Sequence, residues 1–161
     1  MFVHSALSTF VRNDLQILEK HFNVRRLNVT MFLVPRKCAD CFAYFRLLKG
    51  ILWADIVYLW WAELNAFFAV LFSVLLRKKS IVVVGGYEVA YVPEINYGTL
   101  LSLKGRLEVK FILQNASKII AISESSKNGI LRFATPKNLS WFTMVSIQKN
   151  SVPQAQRKNR L

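Results

Sequence analysis

Two patterns of apolar residues alternate along the chain. Short runs rich in β-branched residues are typical of strands buried on both faces of a sheet, and they cover residues 2–3, 24–29, 55–59, 81–84 and 118–122. Longer stretches with apolar residues three or four positions apart predict amphipathic helices, and they cover residues 10–22, 35–50, 63–76, 99–116 and 123–133. Strands alternating with helices every 25 to 30 residues or so predict βαβ units. The expected fold class is therefore α/β: one domain with a Rossmann-like parallel sheet flanked by helices.

The segment SIVVVGGYEVAYVPEINYG, residues 80–98, contains the fourth strand and the loop after it. Gly85 and Gly86 end the strand, and paired glycines allow a sharp turn and the close approach of a ligand. In open α/β sheets, ligands bind beyond the carboxyl ends of the strands. We therefore expect the polar and aromatic residues of this loop to line a crevice: Tyr87, Glu88, Tyr91, Glu94, Asn96 and Tyr97. The pattern alone also allows a simple turn followed by a solvated connector.

The third helix, residues 63–76, is apolar on most of its surface and is followed by Arg77-Lys78-Lys79. Only thirteen residues separate Glu63 from Arg77, which is short of the roughly 20 that a membrane-spanning helix needs. The pattern favours a buried or interfacial helix over a spanning one. We expect the basic residues after the helix to lie on the surface, and the side chains that face the sheet to be Phe67, Leu71 and Leu75.

The net charge is +13, from 22 Lys and Arg against 9 Asp and Glu among 161 residues. Such an excess predicts an anionic partner: a phosphorylated ligand, an anionic membrane surface or nucleic acid. Nucleic acid is the least favoured of the three, because the basic residues are scattered and no motif that reads RNA or DNA is present.

The sequence predicts a cytoplasmic location. Met1 leads into polar-interrupted segments rather than into a secretory signal peptide. The two cysteines, Cys38 and Cys41, form no disulfide framework. They are a lone C-x-x-C without a second pair of ligands, so we interpret them as helix residues and expect no metal site.

Four segments, in this order, resemble the N-terminal half of a family 4 glycosyltransferase. They are STFVRNDLQILEKHFNVR (8–25), ADIVYLWWAEL (54–64), VVVGGYEVAYVPEINYG (82–98) and ASKIIAISESSKNGI (116–130). The resemblance covers residues 2–139. It implies a GT-B architecture, in which two Rossmann-like domains face a cleft. The N-terminal domain takes a glycan or lipid-linked acceptor, and the C-terminal domain holds most of the nucleotide-sugar donor, which is a co-substrate. It further implies transfer with retention of anomeric configuration and no metal or other cofactor.

The same resemblance implies where substrates bind. Glu88 falls in a loop that lines the cleft, and we expect this carboxylate to point into the crevice as the catalytic acid. The implied substrate-binding residues lie after the first strand, in the glycine loop and at the start of the last helix: Ser8, Thr9, Gly85, Gly86, Tyr87, Glu94, Asn96, Tyr97, Ser123 and Ser126.

Residues 136–161 depart from the family pattern and are expected to form a basic, irregular tail beyond a domain of residues 1–135. Family members continue with Val-Tyr-Asn-Gly-Val-Asp and the donor domain, whereas this chain continues with WFTMVSIQKNS at 141–151. Codons permitted by the genetic code restore the family motif when the frame is moved back by one base, which predicts a frameshift. Without the donor domain the leaving diphosphate lacks its clamp, so the truncated half is expected to be inactive alone.

Two alternatives remain open at this stage. A separate subunit could supply the donor domain. The chain could instead be a non-catalytic Rossmann-like module that docks on a partner subunit or on the inner face of a membrane as a peripheral protein.

Overall fold

The computed structural model describes residues 1–29, 39–136 and 138–141, with the backbone alone for residues 39–43. The strands in this part of the chain are β1 (Phe2–His4), β2 (Arg26–Asn28), β3 (Ile56–Trp60), β4 (Lys79–Val84), β5 (Lys118–Ala121) and β6 (Leu139–Trp141). The helices are α1 (Thr9–His21), α2 (Ala39–Trp53), α3 (Leu64–Leu75), α4 (Leu103–Asn115) and α5 (Glu124–Phe133). Three 3₁₀ turns, Tyr87–Val89, Pro93–Ile95 and Thr99–Leu101, shape the connection between β4 and α4.

The strands form one six-stranded sheet in the order β2-β1-β3-β4-β5-β6. Every neighbouring pair is parallel. The protein is therefore a single α/β domain of the Rossmann-like type, which confirms the predicted fold class. The chain runs from β1 to β2 in one direction and from β3 to β6 in the other, so the direction of winding reverses between β1 and β3. Such a reversal is where open sheets leave a crevice at their carboxyl edge.

The two faces of the sheet have different cores. On one face, alternate residues of the strands such as Leu59 and Val82 pack against side chains from α2, α3, α4 and α5. On the other face a smaller cluster joins Phe2 and Trp60 to Val11 and Leu15 of α1.

Helix α1 is also joined to the sheet by a partly buried polar contact. The Oδ2 atom of Asp14 accepts hydrogen bonds from the Tyr58 hydroxyl at 2.8 Å and the Trp60 indole at 3.0 Å. Burial of the phenol, reinforced by the charge of Asp14, raises the pKa of Tyr58 well above its ordinary value. Trp60 is thus a core residue.

Helix α3 packs against the sheet, but through a different face from the one predicted. Leu75 is 69% exposed and Leu71 only half-buried, so the inward orientation expected for Leu75 is wrong. Because α3 is apolar all round, its composition could not select a face. Small side chains let a helix approach a sheet closely, and the buried face consists of Asn65, Ala66, Ala69, Val70 and Ser73.

The basic segment after α3 lies largely on the surface, as predicted: Arg77 and Lys79 are exposed and Lys78 is half-buried. Among the described residues, no helix is both long and apolar enough to cross a membrane.

The start of the predicted irregular tail is ordered as an edge strand. Leu139 pairs with Ile119 and Trp141 pairs with Ala121 in parallel register, and the Lys127 ammonium lies 4.6 Å from the centre of the Trp141 ring. The expectation of irregular structure is wrong for these three residues, because β5 offers an unpaired edge that the chain completes. The rest of the predicted tail, residues 142–161, lies outside the described residues, as does Cys38. Cys41 lies in α2, as predicted.

Candidate functional site

Loops that follow β1, β3, β4 and β5 meet at the carboxyl edge of the sheet. Each loop leads from a buried parallel strand into a helix, so its first residues lie where substrates bind in open α/β sheets. The longest of the four, residues 85–102, follows β4 and contains the two glycines.

Glu88 joins two of these loops. Its Oε1 atom accepts the backbone N–H groups of Ala62 at 3.2 Å and Gly85 at 3.1 Å, and its Oε2 atom accepts that of Gly86 at 2.8 Å. The side chain is fully buried. Hydrogen bonds to an ionised acceptor are among the stronger ones in proteins. Glu88 therefore ties the loop after β3 to the turn after β4, and the expectation that its carboxylate points into the crevice is wrong.

The two glycines are required by their surroundings. A Cβ atom at Gly85 would collide with the ring of Trp61. Gly86 has φ of +131°, a conformation that side chains other than glycine rarely adopt. The turn can thus bring its backbone N–H groups to the Glu88 carboxylate only with glycine at both positions.

The start of α5 is attached to the same turn. Ser123 Oγ accepts the backbone N–H of Ser126 at 3.0 Å and so caps helix α5. The Ser126 hydroxyl donates its single proton to the Gly85 carbonyl at 2.9 Å. The contact of 2.8 Å between the two hydroxyls then requires Ser123 to be the donor.

The structure brings together only part of the predicted set. Gly85, Gly86, Glu88, Ser123 and Ser126 form the connected network described above. Tyr87 and Tyr97 are half-exposed and meet edge to face with ring centres 5.0 Å apart.

Glu94 and Asn96 are exposed at the tip of the loop, where Val92 bridges to Tyr97. Ser8 and Thr9 follow β1, two strands from β4, which corresponds to about 10 Å across the sheet.

Unpaired buried polar atoms occur at the end of β1, in the loop after it and at the start of α3. His4 Nδ1, Ser8 Oγ and both amide atoms of Asn65 are buried and have no hydrogen-bond partner among the described residues. Burial, reinforced by the charge of Arg26, lowers the pKa of His4. Buried polar groups are almost always satisfied in folded proteins, so a bound ligand is the expected partner of these atoms. Of these residues, sequence reasoning had selected Ser8 only, although His4 and Asn65 also stand directly at the ends of a strand and a helix.

Glu63 is a second acidic group at this edge that sequence reasoning missed. It occupies the cap position of α3 without a side-chain capping bond and is half-buried. Burial, reinforced by the negative charge of Glu88, raises the pKa of Glu63. The signal in the sequence was its position directly after the third strand.

A cavity of about 830 Å³ opens between the loop after β4 and helix α5. Its α5 wall presents Glu124, Asn128 and Arg132, spaced four residues apart, and its opposite wall includes Arg106 of α4. The pattern Glu-x₃-Asn-x₃-Arg was visible in the sequence as one polar stripe of the last helix.

One solved structure illustrates how this chain is similar to known proteins. No protein-family model matches the sequence, and no curated protein matches it closely enough to count as a relative. The chain is similar to a crystal structure described as a UDP-N-acetylglucosamine 2-epimerase from Listeria monocytogenes, with 16% sequence identity and a TM-score of 0.43. The match covers 77% of this chain and 32% of that one, so the chain spans about a third of its length. At this level the similarity says nothing about activity.

Proposed function

We propose that this domain is the acceptor-side half of a retaining glycosyltransferase of the family 4 type, which transfers a sugar from a nucleotide-sugar donor. The observation that carries the proposal is the convergence of the segments on which the sequence resemblance rests. Ser8, Gly85 and Ser123 belong to three different segments, and all three lie at the carboxyl edge of one parallel sheet. A cavity large enough for a small-molecule substrate opens beside two of them.

Within this proposal, the network around Glu88 positions the glycine turn rather than reacting with substrate. Three backbone N–H groups occupy the carboxylate, so substitution should act through the shape of the turn. Within the same proposal, the unpaired groups of His4, Ser8 and Asn65 are candidates to contact the donor that a second domain would hold.

The test combines this chain with the donor-binding half of a family 4 glycosyltransferase, either co-expressed or fused. Release of nucleoside diphosphate from a panel of nucleotide sugars is measured with mixed glycan and lipid-linked acceptors. We expect release with the pair and none with either half alone, and NMR of the product should show the anomeric configuration of the donor. Absence of release with every donor and acceptor would contradict the proposal, and so would turnover by this chain alone.

A second candidate is a non-catalytic module that docks on a membrane surface or a partner subunit. The observation that favours it is a set of exposed apolar side chains on the loop after β4 and on α4: Tyr91, Val92, Ile95, Tyr97, Leu103 and Leu107. Sedimentation with phosphatidylglycerol vesicles tests it. Binding that is abolished by Ile95→Asp and Leu103→Asp, in a chain that shows no transfer with any donor half, would favour docking over catalysis.

A further inference from the structure

We propose that the cavity between the loop after β4 and helix α5 binds a phosphate-bearing acceptor, with Arg106 and Arg132 holding the phosphate. The assignment as an acceptor rests on the proposed function, whereas binding of the phosphate group can be measured without any transfer reaction.

Arg106 is held in place by its own loop. Its Nε donates to the Leu100 carbonyl at 2.6 Å, and its guanidinium carbon lies 5.0 Å from the centre of the Tyr91 ring. These contacts use one of the five N–H donors of the guanidinium group and fix its plane. Among the described residues Arg106 forms no salt bridge. A fixed, planar group with unused donors is well suited to bind phosphate through two hydrogen bonds at once.

Arg132 supplies a second positive charge, and the α5 wall is electrostatically polarised. Glu124 and Arg132 both line the cavity and are eight residues apart, which is about 12 Å along a helix. The Glu124 end adjoins the glycine turn, because Ser126 is hydrogen-bonded to Gly85. A phosphate is repelled by Glu124 and attracted by Arg132, so an acceptor should bind with its phosphate away from the glycine turn and its hydroxyl groups toward it.

The remaining walls of the cavity are largely apolar, and the loop after β4 packs closely against α5. Val89, Val92, Leu100 and Phe133 line it. A Cβ atom at Gly129 would lie 2.8 Å from Val89 Cγ2, so the missing side chain lets the loop contact α5 directly. Apolar walls and two cationic groups fit a phosphate attached to an organic body. Both a soluble sugar phosphate and the headgroup of a lipid-linked acceptor have this chemistry.

Calorimetric titration of the full chain with phenyl phosphate and with inorganic phosphate, at constant ionic strength, tests the site. We expect Arg132→Gln and Arg106→Gln to weaken binding of phenyl phosphate at least about tenfold each, the range for loss of a charge-assisted hydrogen bond. Lys118→Gln removes one positive charge at the exposed amino end of β5 and should leave binding unchanged. Circular dichroism checks the fold of each variant, and Arg132 is exposed, so its replacement should not disturb folding.

Three results would overturn the proposal: no binding of either phosphate by the wild-type chain at millimolar concentration, equal weakening by Lys118→Gln, or no weakening in a folded Arg132→Gln variant.

Vesicles of phosphatidylcholine with and without phosphatidylglycerol distinguish the two sources of the phosphate, a lipid headgroup and a soluble sugar phosphate. Co-sedimentation with the phosphatidylglycerol vesicles that depends on Arg132 supports a lipid headgroup as the ligand. Binding of phenyl phosphate in the absence of co-sedimentation supports a soluble acceptor. If no nucleoside diphosphate is released with any donor half while phosphate binding depends on both arginines, the transferase assignment fails and the anion site stands.

Discussion

The two halves of the sheet's carboxyl edge differ in whether their buried polar groups have hydrogen-bond partners. Beside β4 and β5, the Glu88 carboxylate and the Ser126 hydroxyl are paired with backbone groups of neighbouring loops. Beside β1 and β3, His4 and Asn65 are just as buried but retain polar atoms without partners among the described residues. The difference shows that burial alone does not identify a polar group that binds a ligand. A paired polar network stabilises the fold, whereas an unpaired one lowers stability and is available to a ligand.

Removing the carboxylate of Glu88 should have the largest effect on stability. Glu88→Ala leaves three N–H groups without an acceptor: the buried one of Ala62 and the partly buried ones of Gly85 and Gly86. An unsatisfied buried group costs about 1 to 3 kcal/mol, and water relieves part of this cost at the two glycines. We expect the free energy of unfolding to fall by about 3 to 5 kcal/mol in urea denaturation. Glu94→Ala, an exposed acid of the same loop, should change it by less than about 0.5 kcal/mol. Equal effects of the two variants would contradict the role of Glu88 in joining the loops.

A smaller loss of stability is expected when the hydrogen bond between α5 and the glycine turn is removed. Ser126→Ala removes the hydrogen bond to the Gly85 carbonyl and the contact with Ser123, which should cost about 1 to 2 kcal/mol. The neighbouring Ser125 is exposed on the same helix, and Ser125→Ala serves as the control. The same midpoint of thermal denaturation for both variants would contradict a stabilising role for the hydrogen bond between Ser126 and the Gly85 carbonyl.

Beside β1 and β3, where buried polar atoms have no partner among the described residues, removing a polar group should raise stability. Asn65→Leu replaces an amide without hydrogen bonds by an apolar side chain of similar size, so we expect a gain in unfolding free energy of about 1 kcal/mol. Asn23→Leu, at an exposed position, should have little effect. A clear loss of stability in Asn65→Leu would mean that the amide is hydrogen-bonded in solution and would remove the contrast between the two halves.

The smallest effect should be a pH dependence from His4. Its pKa is lowered in the folded state by burial and by Arg26, so between that value and about 6.5 the unfolded chain binds more protons than the folded one. This contribution to stability is complete above about pH 6.5 and is lost as the pH falls below it. Denaturation curves from neutral to mildly acid pH should show this decline, and His4→Phe should reduce it. The exposed His21 is the control, and a slope unchanged in His4→Phe but reduced in His21→Gln would refute the assignment.

Local pattern was sufficient for the first five strands, the helices and the glycine turn, because each depends on residues close in sequence. Runs such as Ile81-Val82-Val83-Val84 have few structures open to them other than a buried strand, and the Ser123 cap is likewise set within its own first turn. These features could therefore be predicted before any contact between distant segments was known.

The orientation of Glu88 could not be predicted in the same way. It depends on the N–H of Ala62, 26 residues earlier in the chain, and no local pattern reports where that group lies. The buried face of α3 was also out of reach, because an apolar surface on all sides leaves the choice to the shape of the sheet. The cavity depends on Arg106 and Arg132 approaching from different helices, which the spacing within either helix does not reveal.

The strand order has a consequence for how the protein forms during its synthesis. From β3 onward, each strand is laid against the one made just before it, in the sequence β3, β4, β5, β6, so this part of the sheet can grow at one edge as the ribosome delivers the chain. Among the described strands, β1 alone lies between two strands that are made later. Its apolar residues must wait for about fifty more residues to emerge, which takes several seconds of translation at about 5 to 20 residues per second. The nascent β1 segment is thus the one that a chaperone would protect first.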